Sequence, residues 1–233
     1  MTSSKTAMEL LETAICDLEC RLGGMTSGKE ATQQKKKNKT AKDGKQRAKP
    51  PQPSSTASTA EASDLPGILK LEFKVGRITK VWDHPEADKL YCEEIDVGEA
   101  EPRQIASGLR PHFSLEEMQG QRLLVIANLK AKNLVRFKSH GMVLCAADED
   151  GKVEFVEPPE DAPIGEVVTF EGLPPPQPLA PAQVEKKKVF ANCMDGMKTT
   201  NDTEPPVAVW NGHAFMTSTG PCTVRTIKGG VLR

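Results

Sequence analysis

The sequence predicts an all-β barrel flanked by a helix and basic arm on one side and a small α+β extension on the other. Three observations carry this prediction. Apolar alternation with period two begins at Leu69 and recurs in five short runs. A capped helical segment falls between the third and fourth of them, and residues 25–64, ahead of them all, hold almost no large apolar side chain. Five short strands with a bent first strand and a helix between strands three and four form the element order of an OB-fold barrel.

Residues 1–24 read as an amphipathic helix. Met8, Leu11, Ile15, Leu18 and Leu22 are spaced 3, 4, 3, 4, the apolar seam of a short coiled coil. Thr6 and Glu9 form a capping box at its start, and Gly23-Gly24 ends it. A helix this short is marginal alone, so it is expected to dock on a partner protein or to self-associate. Residues 25–64 follow as a disordered arm, too poor in apolar groups to offset its ordering entropy. Within it, residues 29–49 carry nine Lys or Arg against Glu30 and Asp43, a charge of +7. The whole chain is −1, so the remainder is −8. A basic arm on an acidic body points to a polyanionic partner, with Lys35, Lys36, Lys37 and Lys39 as its densest grip. Gly23, Gly28 and Lys29 imitate a phosphate-binding G-x-x-x-x-G-K. Glu30 replaces the required Ser or Thr, however, and a helix instead of a strand precedes it.

The barrel is assigned to residues 65–172. Leu69, Leu71, Phe73 and Val75 alternate as its first strand, Gly76 permits a sharp bend, and Ile78 and Val81 continue beyond it. Residues 90–97, 103–107, 122–127 and 142–146 supply the other four strands, and Ser114 with Glu117 caps the short helix SLEEM. Residues 173–233 form the extension: LPPPQPLAP crosses the fold extended, and KKKVF, PPVAVWNGHAF and PCTVRTIKGG supply short alternating segments. About sixty residues are too few for a confident separate core, so this part is expected to pack on the barrel.

Candidate catalytic and metal sites fall away one by one. The six cysteines have no C-x-x-C spacing and no paired histidines, so reduced, buried thiols are expected, with no metal and no cofactor. His84 with Asp83, Glu86 and Asp88 lacks a full coordination sphere and contains Pro85, which marks a turn. Ser107 lacks the glycine that a nucleophile elbow needs. Ser139 and His140 are adjacent, so on a strand they face opposite ways and cannot pair. No catalytic residue is therefore predicted. The N-terminus lacks signal-peptide organisation and no apolar run is long enough for a bilayer, so a cytoplasmic protein with no membrane partner is expected.

The loop 128–142 is different. Lys130, Lys132, Arg136 and Lys138 are evenly spaced, so an extended loop shows them on one face at the barrel lip, where OB folds receive nucleic acid. Aromatic residues make up only 4% of the chain, which leaves few platforms for a splayed strand and favours phosphate contacts on a folded RNA.

HPEADKLYCEEIDVGEAEPRQIASGL (residues 84–109), the NLK that opens at Asn128, and SHGM from Ser139 to Met142 resemble the tRNA-binding domain family. That family includes endothelial monocyte-activating polypeptide II, its multisynthetase-complex precursor, the fungal synthetase cofactor and the C-terminal extensions of some tyrosyl- and methionyl-tRNA synthetases. The resemblance is strong over residues 69–173 and continues through KKKVF, Thr200 to Asp202, Gly212, Phe215, Gly220 and Cys222. It implies an OB fold that binds tRNA with little regard to sequence, and an extension packed on the barrel. It also implies that Asn128, Ser139 and Met142 lie beside the tRNA-contacting surface. Val135-Arg136 departs from the Arg-Gly usual in the family. Lys74 to Lys80 resembles a segment tied to cytokine activity in animal members, though a bent barrel strand is its simpler reading. The implied function is a noncatalytic cofactor that delivers tRNA to one or more aminoacyl-tRNA synthetases, of methionyl or tyrosyl type. A scaffold that assembles synthetases and a secreted cytokine-like protein are the alternatives.

Overall fold

The computed structural model describes residues 65–233, all within one compact unit. The helix predicted at Met8–Leu22 and the lysine arm lie outside the described residues. Five strands make the barrel: β1 (Phe73–Asp83), β2 (Tyr91–Asp96), β3 (Arg103–Ser107), β4 (Arg122–Ile126) and β7 (Met142–Ala147), with β5 (Lys132–Leu134) and β6 (Phe137–Ser139) as a separate hairpin between β4 and β7. They pair antiparallel in the order β7-β4-β1-β2-β3, and β3 returns to lie against β6 and β7. The helix α1 (Leu115–Met118) sits between β3 and β4, and Ser114 and Glu117 form the capping box expected of them.

Alternation along the strands builds two apolar layers. Leu123 and Val125 of β4 and Val143 and Cys145 of β7 fill the barrel interior with Ile78, Ile95 and Ile105. Their neighbours Leu124, Ile126, Leu144 and Ala146 face the other way, into a second layer shared with the extension. Burial on both faces is why residues 122–127 read as a nearly unbroken apolar run. Three rings knot this second layer edge to face: Phe73–Phe215 at 5.2 Å, Phe170–Phe215 at 4.8 Å and Phe73–Phe170 at 5.9 Å.

The extension continues the sheet. After β8 (Val153–Phe155) and β9 (Thr169–Phe170) come two short helices, α2 (Pro181–Lys186) and α3 (Val189–Met194). The strands β10 (Met197–Thr199), β11 (Ala208–Trp210), β12 (His213–Thr217), β13 (Gly220–Pro221) and β14 (Val231–Leu232) then complete the order β13-β12-β11-β10-β14-β7. The last residue is fastened too: Cys145 and Arg233 exchange backbone hydrogen bonds of 2.8 Å in both directions.

Two expectations need correction, and a third is refined. Leu69 and Leu71 are not on the first strand. Residues Gly67–Lys70 make a 3-10 turn, and Ile68, Leu69 and Leu71 are all fully buried, a pattern no single strand face allows. Gly76 pairs in register with Leu123, and the irregularity in the β1–β2 register falls two residues beyond it, between Ile78 and Lys80. At Gly76 a Cβ would be tightly packed, 3.0 Å from Ile95 Cγ2 and 3.2 Å from Val125 Cγ2. KKKVF is not an alternating strand, since Lys186 ends α2 and Val189-Phe190 opens α3.

Candidate nucleic-acid interface

Asn128 anchors the lip. It is only 4% exposed, its side-chain Oδ1 accepts from the Glu72 N–H at 2.9 Å, and its Nδ2 donates to the carbonyls of Lys70 (2.9 Å) and Leu179 (3.0 Å). One amide thus ties the loop to the 3-10 turn and to the extended crossing segment. At the other end of the loop, Ser139 is 4% exposed; its Oγ accepts from the Ala106 N–H at 3.1 Å and donates to the Gly141 carbonyl at 3.0 Å. His140 is exposed beside it, and no Ser-His pair forms. Met142, half-buried at the start of β7, packs on the second apolar layer.

Between these anchors the chain folds back on itself. Lys132 pairs with Ser139, Asn133 with Lys138 and Leu134 with Phe137, so Val135 and Arg136 form a two-residue turn. Both have positive φ, 46° and 67°, as a tight turn of this hand requires. Glycine, which the related pattern has at the second position, takes such a φ without strain. The turn also corrects the expectation of a single cationic face. Cross-strand partners share a face, so Lys132 lies with Leu134, Phe137 and Ser139, whereas Lys138 lies with Asn133 on the opposite face.

The hairpin is held at its tip and its base. Phe137 meets Trp82 edge to face at 6.1 Å and His84 at 6.2 Å, and Arg136 reaches Glu86 at 3.0 Å. His84 is itself a structural part of the turn after β1, accepting from the Glu86 N–H at Nδ1 (3.1 Å). Arg103, which sequence reasoning missed, donates to the carbonyls of Ala127 and His140 (3.1 Å) at the two ends of the loop. Glu99 holds the other side of its guanidinium at 2.7 Å, and hydrogen bonding from Arg103 pulls the Glu99 carboxyl down to about 2.

A second source of charge lies in the extension, and its Lys188 shares a cavity with the hairpin. Lys186, Lys187 and Lys188 are exposed at the junction of α2 and α3, where Lys188 takes a left-handed φ of 49° and breaks the helix in two. Lys130, Lys132 and Lys188 line one cavity of about 320 Å³ with an apolar floor of Leu129, Leu134 and Phe190. Lys130 is paired there with Glu185 at 2.7 Å. Lys132 and Lys188 make no ion pair with any described residue. The three-lysine run was the sequence signal for this second wall of the site.

Elsewhere the described residues offer little chemistry. Cys92, Cys145, Cys193 and Cys222 are free and buried, and burial pushes the Cys193 thiol up to about 11 and that of Cys222 to about 12. Among the described residues no cluster of three or more His, Cys, Asp or Glu is placed to hold a metal ion. No described helix is long and apolar enough to cross a membrane. The nucleic-acid candidates Lys35, Lys36, Lys37 and Lys39 lie outside the described residues, as do the partner-docking candidates Met8, Leu11, Ile15, Leu18 and Leu22.

A small five-stranded barrel with a basic lip and an apolar notch beneath it has the architecture of the oligonucleotide/oligosaccharide-binding fold class. Residues 73–167 match the family described as "Putative tRNA binding domain". The C-terminal domain of Plasmodium vivax p43 is similar to this chain, with a TM-score of 0.65 and 33% identity, over 72% of this chain and the whole of that domain. The chain therefore belongs to the tRNA-binding domain family. It is also 33% identical over 204 residues to the aminoacyl tRNA synthase complex-interacting multifunctional protein 1 of Cricetulus griseus, covering 86% of this chain and 54% of that protein. It is 43% identical over 169 residues to the cytoplasmic methionine–tRNA ligase of Arabidopsis thaliana, covering 71% of this chain and 20% of that enzyme. The chain thus spans a fifth of the ligase and about half of the multifunctional protein.

Proposed function

We propose that this protein is a noncatalytic tRNA-binding cofactor that acts in the cytoplasm and delivers tRNA to aminoacyl-tRNA synthetases. The observation that carries this reading is the meeting of cations from two elements at one lip: Lys130 and Lys132 from the loop and hairpin and Lys188 from the α2–α3 junction line the same cavity. Arg136 at the hairpin tip, Lys138 on the other hairpin face, and Lys186 and Lys187 next to Lys188 in the chain are further exposed charge. Phosphates of a folded RNA supply the matching charge, and shape supplies what selectivity there is. Asn128, Ser139 and Met142 position the lip, and the lysines touch the RNA. The arm with Lys35, Lys36, Lys37 and Lys39 adds nonspecific attraction. The segment of Met8, Leu11, Ile15, Leu18 and Leu22 docks on a synthetase, which raises the effective tRNA concentration there. Methionyl- and tyrosyl-type synthetases are the favoured partners, because ligases of both types carry a similar segment.

The test is a Lys132→Gln, Lys188→Gln double variant of the full chain. Losing two phosphate contacts lowers the slope of log affinity against log salt by roughly two, uniformly across tRNAs. An unchanged slope in a normally folded variant contradicts the proposal.

A further inference from the structure

We infer that the cavity between the hairpin and α3 receives one unpaired nucleotide of the bound RNA, its base on Phe190 and its phosphate on Lys132 and Lys188. This rests on the reading of the lip as a tRNA site and adds a specific subsite to it. At about 320 Å³, the cavity is near the lower end of small-molecule sites, large enough for one planar ring and too small for a helix. Its floor is apolar, formed by Leu129, Leu134, Met142, Val184 and the ring of Phe190. Its mouth carries Lys130, Lys132 and Lys188 against the single acid Glu185. An apolar recess ringed by excess positive charge is complementary to a group that is flat and apolar at one end and anionic at the other. A nucleotide splayed from a stack fits this description, and a fully paired duplex presents no such base.

The hairpin register explains why the recess exists. Lys132 and Leu134 share the hairpin face that lines it, and Ser139, the third residue of that face in the lining, is locked by the Ala106 N–H and the Gly141 carbonyl. The wall is therefore preorganised. Phe190 opposes it from α3, partly buried against the second apolar layer. The ring offers one stacking face in a chain poor in aromatic residues, so the site accommodates a single base and no extended strand.

The experiment compares a blunt RNA hairpin with the same hairpin carrying a short 3′ single-stranded overhang, both binding the full-length chain at fixed salt. The overhang is expected to bind about five- to a hundredfold more tightly, the range of one stacked base. Phe190→Leu, which keeps an apolar side chain, and Ala191→Leu, which narrows the cavity from an exposed helix position, are each expected to erase that preference and leave blunt-hairpin affinity within about twofold. A 4-thiouridine in the overhang is expected to crosslink to residues 184–191 or 129–142 without any substitution. Equal binding of the two hairpins, or a crosslink elsewhere, overturns the inference while leaving salt-dependent RNA binding in place. Failure to bind either hairpin overturns both this inference and the tRNA reading. If the two substitutions spare the overhang preference but abolish capture of a purified methionyl-tRNA ligase, the cavity belongs to a protein partner and the inference is wrong.

Discussion

Removing the Asn128 side chain tests how the lip is built. In Asn128→Ala the Glu72 N–H and the Leu179 carbonyl lose the partner they have at 2.9 and 3.0 Å, while the Lys70 carbonyl keeps the Leu179 N–H at 3.0 Å. Two partly buried groups are thus orphaned. Since water reaches them in part, each costs near the low end of the range, about 1 kcal/mol, and the loss is about 2 kcal/mol. For a folded region of this size, 1 kcal/mol moves Tm by roughly 2–4 °C, so a fall of about 4–8 °C is expected in calorimetry of the full chain. Asn128→Asp keeps the acceptor for Glu72 but sets a negative charge against two carbonyls, and falls at least as far. Both variants, assayed well below their transitions, are expected to bind tRNA within about threefold of the native chain, since the amide is spent inside the protein. A Tm change under about 2 °C refutes the structural role. A large loss of affinity in fully folded Asn128→Ala refutes the division between positioning residues and contacting lysines.

Other perturbations have equally definite outcomes. Glu93 is fully buried beside the Ser107 hydroxyl, and burial raises its carboxyl from 4.5 to about 8. The folded state therefore holds a proton that the unfolded chain releases, so stability is greatest below about pH 4.5 for this group and falls as pH rises towards 8. Glu93→Gln is expected to flatten that window in denaturant titrations, and an unchanged slope shows that Glu93 is already ionised. Glu185→Gln frees Lys130 from its 2.7 Å ion pair and is expected to tighten tRNA binding by about two- to fivefold at low salt; weaker binding contradicts the idea that the acid competes with phosphate. Val135 is β-branched at φ 46°, so Val135→Asn is expected to raise stability by up to about 1 kcal/mol, read as a higher denaturant midpoint. Deleting residues 29–49 is expected to weaken all tRNAs alike, whereas deleting 1–24 is expected to abolish synthetase capture and spare tRNA affinity.

What was legible in the sequence followed from local rules that burial reinforces. The sequence places a strand at residues 103–107 and β3 is Arg103–Ser107, a short run bounded by turn residues, with Ile105 in the barrel interior and Ala106 buried on the other face. The α1 helix was legible from Ser114 and Glu117 alone. The 3-10 turn was not, because Ile68, Leu69 and Leu71 are buried by tertiary packing that no period-two pattern encodes. The site was half visible. The sequence shows the cations of the loop, but Val135-Arg136 carries no Asn-Gly or Gly-Gly turn chemistry, so the reversal that puts Lys132 and Lys138 on different faces leaves no signal. The second wall was hidden for a related reason. Lys186 to Lys188 reads as one charged run, while the left-handed break at Lys188 that brings Phe190 under the hairpin depends on the packing of α2 and α3.

Phosphate contact from the arm and lip makes a direct claim about ions. The deciding measurement is the affinity of the full-length chain for an unmodified tRNA between about 50 and 200 mM salt. Contact with about six to ten phosphates predicts a loss of roughly three to five orders of magnitude over that range, with a linear double-logarithmic plot. An affinity that barely changes contradicts it.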